Sequence, residues 1–277
     1  DCSKGEYWMF TWLAELLRDI RFGIRQLAKS PGVTSIAVLS LALGIMATTA
    51  IYSVIHAVVL DPFPYKDVDN LMSVRVWGAG QQGFRLYYST DQFLEIAERS
   101  RIFDGVIAST ISDVLWTDSG EPQRLRGNYG TFNTFQVMGV PPLLGRTTLP
   151  DDARPDAAPV VVLGYRFWQR QFGGDPGVIG RQLRLNDKIR TVIGVMPKRF
   201  MWRGADVYLP INFERGRVVE GVRYVHLLGR LKPGVTEAQA EVDLRPIIDD
   251  LKKREPAQFP DNLRVGLLSF KDACAPF

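Results

Sequence analysis

The chain has 277 residues, 46% hydrophobic and 23% charged, an ordinary globular composition for one or two domains. Its 34 Lys+Arg against 30 Asp+Glu give a net charge of +4, spread without any long block of one sign, which argues against a nucleic-acid module. Two cysteines (Cys2 and Cys274, at opposite ends) and two histidines exclude a zinc finger, a zinc ribbon and a disulfide framework.

Residues 1–32 carry a helical stripe. Leu13, Leu16, Leu17, Ile20, Ile24 and Leu27 recur at three/four spacing, with Arg18, Arg21, Arg25 and Lys29 mainly off it. A basic amphipathic helix beside a membrane span lies in the interface, its stripe in the acyl boundary and its cations at anionic headgroups. The alternative is a solvated helix with a cytoplasmic partner. Ser30-Pro31-Gly32 is a stop and turn.

Val33–Leu60 then runs for 28 residues without Asp, Glu, Lys or Arg. A hydrocarbon core of about 30 Å needs roughly 20 helical residues, so this stretch predicts a transmembrane helix. A core helix would keep a polar face. A secretory signal would have an apolar run of about 7–15 residues behind a short leader, and here the run is about twice too long. Arg18, Arg21, Arg25 and Lys29 precede the span, whereas Lys66 follows it among Asp61, Asp67 and Asp69. The positive-inside rule then predicts a cytoplasmic N-terminus and an outer domain after Leu60.

In that outer part, Leu71–Trp77 reads as a strand, and Ser89 with Gln92 forms a capping box opening a helix. Phe103–Thr110 returns as a strand. The order recurs with Val222–Leu231 as a strand, Lys232–Val235 as a type II turn and Thr236 with Gln239 as a second capping box. A helix over Ala240–Leu251 follows, with a kink expected at Pro246, and then a strand at Leu263–Phe270. Two β-α-β units separated by an insertion predict an α+β fold with a split, ferredoxin-like layer. Residues 61–126 and 222–277 form this layer and 127–221 an inserted β-rich subdomain. Within the insertion, Pro159–Leu163 reads as a strand and Tyr165–Phe172 as a helix anchored by Phe167, Trp168 and Phe172. Gly173–Pro176 is a turn, Asn186–Lys188 a hairpin turn and Asp152–Pro159 a loop.

No catalytic constellation emerges. Gly78, Gly80 and Gly83 match the dinucleotide fingerprint in form, but the aromatic run Phe84–Tyr88 follows where a helix is required. No P-loop occurs. His226 lies on a strand and reads as a structural histidine, not a general base. His56, four residues from the outer end of the span, is expected to reach the headgroups, the alternative being an intramembrane ionisable group with a functional role. Asp151-Asp152 and Asp249-Asp250 read as solvated acids. The chain is therefore expected to be no enzyme and to need no cofactor and no metal.

Several ordered motifs resemble MacB/FtsX-type ABC transporter permeases, in particular the acidobacterial duplicated orphan permease subgroup. They are residues 24–32 (IRQLAKSPG), 39–45 (LSLALGI), 49–54 (TAIYSV), 62–65 (PFPY), 138–146 (MGVPPLLGR), 168–175 (WQRQFGGD), 193–197 (IGVMP) and 230–236 (RLKPGVT). The resemblance implies the first span and periplasmic core of a permease subunit in a bacterial inner membrane. It implies a separate ABC ATPase, a homodimer or permease partner, and force transmission rather than a substrate channel. It also implies three further spans and a coupling loop, so the chain is expected to be a fragment. The expected partners are thus lipids, the ATPase and a second permease subunit, and no nucleic acid. The alternative function is a signal-anchored periplasmic interaction or sensor domain.

Overall fold

The computed structural model describes residues 18, 21–22, 29–55, 65–78, 85–118 and 120–273. The chain divides into two compact units, residues 1–62 and 63–277. The stripe residues Leu13–Leu27, Arg25, His56, Asp61, Gly80, Gly83, Cys2 and Cys274 lie outside the described residues.

The first unit holds helix α1 (Pro31–Ile55). Pro31 takes the first helical position, where its missing N–H costs nothing, so the turn at Ser30 becomes the helix start.

The second unit is built on one eleven-stranded sheet. Its strands and helices in chain order are β1 (Leu71–Gly78), β2 (Tyr87–Ser89), α2 (Thr90–Arg99), β3 (Phe103–Trp116), β4 (Gln123–Gly130), α3 (Thr134–Met138), β5 (Leu144–Gly145), β6 (Val160–Leu163), α4 (Tyr165–Phe172), β7 (Gln182–Leu185), β8 (Lys188–Val195), β9 (Val207–Pro210), β10 (Tyr224–Leu231), α5 (Glu237–Arg254), β11 (Leu263–Ser269) and α6 (Phe270–Ala273). The two expected β-α-β units are β1-α2-β3 and β10-α5-β11, and they interleave. Their strands pair in the order β11-β1-β10-β3, antiparallel throughout.

Beyond β3 the same sheet continues through β4, β9, β6, β8 and β5. The joint is β3 itself, which runs 14 residues to Trp116 rather than ending at Thr110. Its first half pairs with β10 and its second half with β4. The β4–β9 and β6–β8 pairs are parallel. Between β7 and β8, Asn186 and Asp187 both adopt positive φ, the conformation of a two-residue I′ hairpin.

Strand alternation sorts the core into two layers. Val225 and Leu227 of β10, Val74 and Val76 of β1 and Ala108 of β3 pack with Phe93 and Ile96 of α2 and with Leu244, Ile247 and Ile248 of α5. On the opposite face, Leu228, Leu71 and Ile107 pack with Phe135, Trp202 and Phe270. Both expected capping boxes are present at the starts of α2 and α5. The helix α5 continues through Pro246, which sits on an exposed face, so the carbonyl that loses its donor is open to water.

The two helices are also tied together by charge. The Glu95 carboxylate of α2 accepts from Arg99 at 2.7 Å and pairs with Arg254 of α5. Ser100 Oγ donates to Asp243 at 2.7 Å. Hydrogen bonds from Arg254 and Arg99 hold the Glu95 carboxyl below its ordinary pKa despite burial.

Candidate functional site

The residues that open and close the second unit meet in one aromatic cluster. Tyr65 packs edge-on against Phe270, with centroids 4.8 Å apart, and against Phe200 at 5.7 Å. Trp202 stacks on Phe270 at 5.3 Å, and Phe135 contacts Phe200 at 5.6 Å. These rings are buried in the layer beneath Leu71, Ile107 and Leu228, where edge-to-face pairs each add about 0.5–1.5 kcal/mol beyond burial.

Backbone contacts fasten the same corner. Lys66 N donates to Met138 O at 3.2 Å. Arg230, on β10, donates to the carbonyls of Lys66 at 2.8 Å, Asp67 at 3.3 Å and Val137 at 2.6 Å. A guanidinium on a rigid strand thus supplies donors to two loop carbonyls and to one in the last turn of α3. Gly139 ends α3 at φ +68°, and a Cβ there would lie 2.5 Å from Lys66 Cβ. The glycine is needed both for the left-handed cap and for the close approach. Lys271 Nζ closes the corner on Asp69 at 2.6 Å.

In the first unit, α1 has no acidic or basic residue in its first or last turn. Its stretch Pro31–Thr49 has a mean hydropathy of 1.8 and no buried residue. Val33, Ile36, Leu39, Leu41, Leu43 and Ile45 are all exposed, so apolar side chains project on every side. Two of its hydroxyls bond back to the preceding turn: Thr34 donates to Ser30 O at 3.0 Å and Thr48 to Gly44 O at 2.8 Å. Such a surface suits hydrocarbon rather than water or a core packed within this chain. Of the basic residues expected at the interface, Arg18, Arg21 and Lys29 are exposed.

The remaining sequence candidates do not assemble a reactive centre. His226 shares a 3.1 Å hydrogen bond with Ser73 through Nε2, and its Nδ1 has no hydrogen-bond partner. Burial first, and the Arg203 guanidinium second, pull its pKa down to about 3. An imidazole with so little affinity for a proton, without an orienting carboxylate and beside a fully buried serine, is poorly suited to general-base work at neutral pH. Gly78 ends β1, and residues 79–84, which complete the glycine-rich stretch, lie outside the described residues. Phe167 and Trp168 are buried in the core, as expected, with Trp116 edge-on to Phe167 at 5.5 Å. Asp249 and Asp250 are helix-face acids paired with Arg245, Arg99 and Lys253.

Asp152 corrects the sequence reading. Its side chain is only 10% exposed, accepts from Arg146 at 2.6 and 2.8 Å and caps Leu149 N at 2.8 Å. These bonds hold its carboxyl below the ordinary range. Arg146 is six residues away, outside the spacings that mark an ion pair in a sequence. Among the described residues, no group of three potential metal ligands occurs.

An uncharged, unburied apolar helix ahead of an α+β unit whose ends are locked together defines a membrane-anchored domain. The family described as MacB-like periplasmic core domain matches residues 34–247, and the chain belongs to it. Three solved structures share the fold. One is a domain of a putative permease protein from Porphyromonas gingivalis, at TM-score 0.54 and 20% identity, covering 74% of this chain and 92% of that one. Another is the periplasmic region of MacB from Actinobacillus actinomycetemcomitans, at 0.51 and 14%, covering 73% and 89%. The third is the extracellular domain of the noncanonic ABC-type transporter YknZ from Gram-positive bacteria, at 0.51 and 13%, covering 71% and 99%. Among curated proteins, none matches the chain. The chain therefore carries a MacB-like periplasmic core domain, the family that its motifs led us to expect.

Proposed function

We propose that this chain is the first span and periplasmic core of a permease subunit driven by a separate ATPase, and that it transmits force across the membrane. Its N-terminus is cytoplasmic, with Arg18, Arg21, Arg25 and Lys29 at the anionic headgroups, and it works beside a second permease subunit. Residues 61–126 and 222–277 act as the split α/β layer of the periplasmic core and 127–221 as the β-rich subdomain inserted into it.

The observation that carries this reading is the locked corner. A domain that relays movement must not yield where force enters, and Tyr65, at the entry, is held to Phe270, at the exit, by direct ring contact. The continuous sheet, bridged by β3, then offers a stiff path to its far edge.

Alkaline phosphatase fused after Phe270 is active in a bacterial periplasm on this reading. Activity from a cytoplasmic reporter at the same position, with a silent phosphatase, overturns the orientation and with it the proposal.

A further inference from the structure

Arg190, on β8, is 5% exposed, yet its Nε has no hydrogen-bond partner. Its ion pair is a long one, from Nη2 to Glu220 Oε1 at 3.4 Å. A carboxylate that satisfied this edge would take Nε–H and Nη2–H together at about 2.7–2.9 Å, so Glu220 meets half of the fork loosely. A buried guanidinium left this way calls for an explanation.

The surroundings supply one. Arg190 lines a cleft of about 230 Å³ with three further cations, Arg154, Lys188 and Arg217. Three carboxylates share the lining, and each already has a cation. Asp152 is held bidentately by Arg146, which is outside the cleft, and Glu214 pairs with Arg217 at 2.9 Å. Glu220 is shared between Lys188 and Arg190. Glu220 reaches them from a tight turn, Val222 N to Val219 O at 3.0 Å, in which its own φ is +51°. A non-glycine residue held left-handed is strained, because its Cβ crowds the neighbouring carbonyl oxygen. One strained carboxylate thus faces two cations, one of them buried.

We infer that this cleft is a binding site for a small oxyanion, a carboxylate or phosphate group, which takes the Nε/Nη2 fork of Arg190 in place of the long Glu220 contact. Lys188 is the second cation, and Glu220 acts as an internal competitor. The inference is independent of the permease reading, because it rests on the cleft alone.

The purified full chain in a neutral detergent is titrated with inorganic phosphate and, separately, with citrate, by calorimetry and thermal unfolding. Sodium chloride at matched ionic strength is the reference. Saturable binding of either anion above the chloride reference is expected, and the responding anion identifies the group. Arg190→Lys keeps the charge but loses the fork and should weaken binding roughly tenfold or more. Glu220→Gln removes the competitor and should tighten it, a gain that a merely damaged fold does not give. Responses to both anions no larger than to chloride overturn the proposal, as do equal affinities for wild type and both variants.

Discussion

The ring of Tyr65 stands edge-on to that of Phe270, 4.8 Å away at 71°, although the two residues lie at opposite ends of the folded outer unit. A long-range contact of this kind closes a loop of about two hundred residues, and its closure entropy must be met by the packing at the joint. The corner is equipped for that, with Trp202 stacked on Phe270 and Arg230 bonded to three backbone carbonyls.

Removing either ring should therefore unfasten the unit. Phe270 is 1% exposed, and truncating such a side chain to alanine costs about 3–5 kcal/mol. In a double-mutant cycle, Tyr65→Ala and Phe270→Ala should show a coupling of about 0.5–1.5 kcal/mol. Urea unfolding followed by tryptophan fluorescence measures this, and strictly additive costs would mean that the two ends are held independently.

Gly139 tests the same corner from the backbone side. Gly139→Ala places a Cβ on a φ of +68° and drives it against Lys66 Cβ. Strain alone exceeds about 1 kcal/mol, and the clash adds to it. Gly173→Ala has a comparable φ of +59° in open space, so it suffers the strain without the clash. The expected order of melting temperatures is wild type, then Gly173→Ala, then Gly139→Ala. Equal losses in the two variants would show that the approach of Lys66 contributes nothing.

The local part of this fold was legible in the sequence, and the distant part was not. Ser89 with Gln92, and Thr236 with Gln239, announce their helices because a capping box is complete within four residues. The turn at Lys232–Val235 is equally local, with Val235 N donating to Lys232 O at 3.2 Å and Gly234 at φ +80°. By contrast, β4 reads QRLRGNYG and lacks both β-branched residues and clean alternation. Its Gly127 is required because a Cβ there would meet Val114 Cγ2 at 2.3 Å, and its parallel partner β9 comes about eighty residues later. The corner was unreadable for the same reason: Tyr65, Phe135, Phe200, Trp202 and Phe270 share no spacing. The cleft at Arg190 carries no signal beyond scattered charges.

His226 should make stability depend on pH. Its folded pKa is about 3, below the ordinary value of about 6.5 in an unfolded chain. Between these values the unfolded state binds a proton that the folded state refuses. Stability is therefore full above pH 6.5 and declines as the pH falls toward 3, by up to about 1.4 kcal/mol per unit. Urea denaturation at pH 7 and pH 5 should differ by about 2 kcal/mol in the wild type, since pH 5 lies above the carboxylate range. In His226→Gln that difference should largely vanish. A wild-type stability flat across this interval would mean that the imidazole protonates in place.

The last prediction concerns α1, whose 25 residues from Pro31 to Ile55 span about 37 Å at 1.5 Å per residue. The hydrocarbon core is about 30 Å thick, and a tilt near 20° shortens the vertical extent by only about 6%. Roughly one turn must therefore stand outside the hydrocarbon. Composition says which end: Ile36–Leu43 is almost wholly apolar, whereas Thr48, Thr49, Tyr52 and Ser53 make the far end more polar. Aromatic residues with a polar tip favour the membrane–water boundary, which suits the exposed Tyr52. Single spin labels from Ala37 to Ile55 in liposomes should report oxygen accessibility around Leu41 and rising water accessibility from Thr49 onward. The signal should follow a 3.6-residue period where one side meets water first. Uniform mobility over Thr49–Ile55 without that period would replace this protruding helical turn by a loose tether, and force could not then pass through this end of the helix.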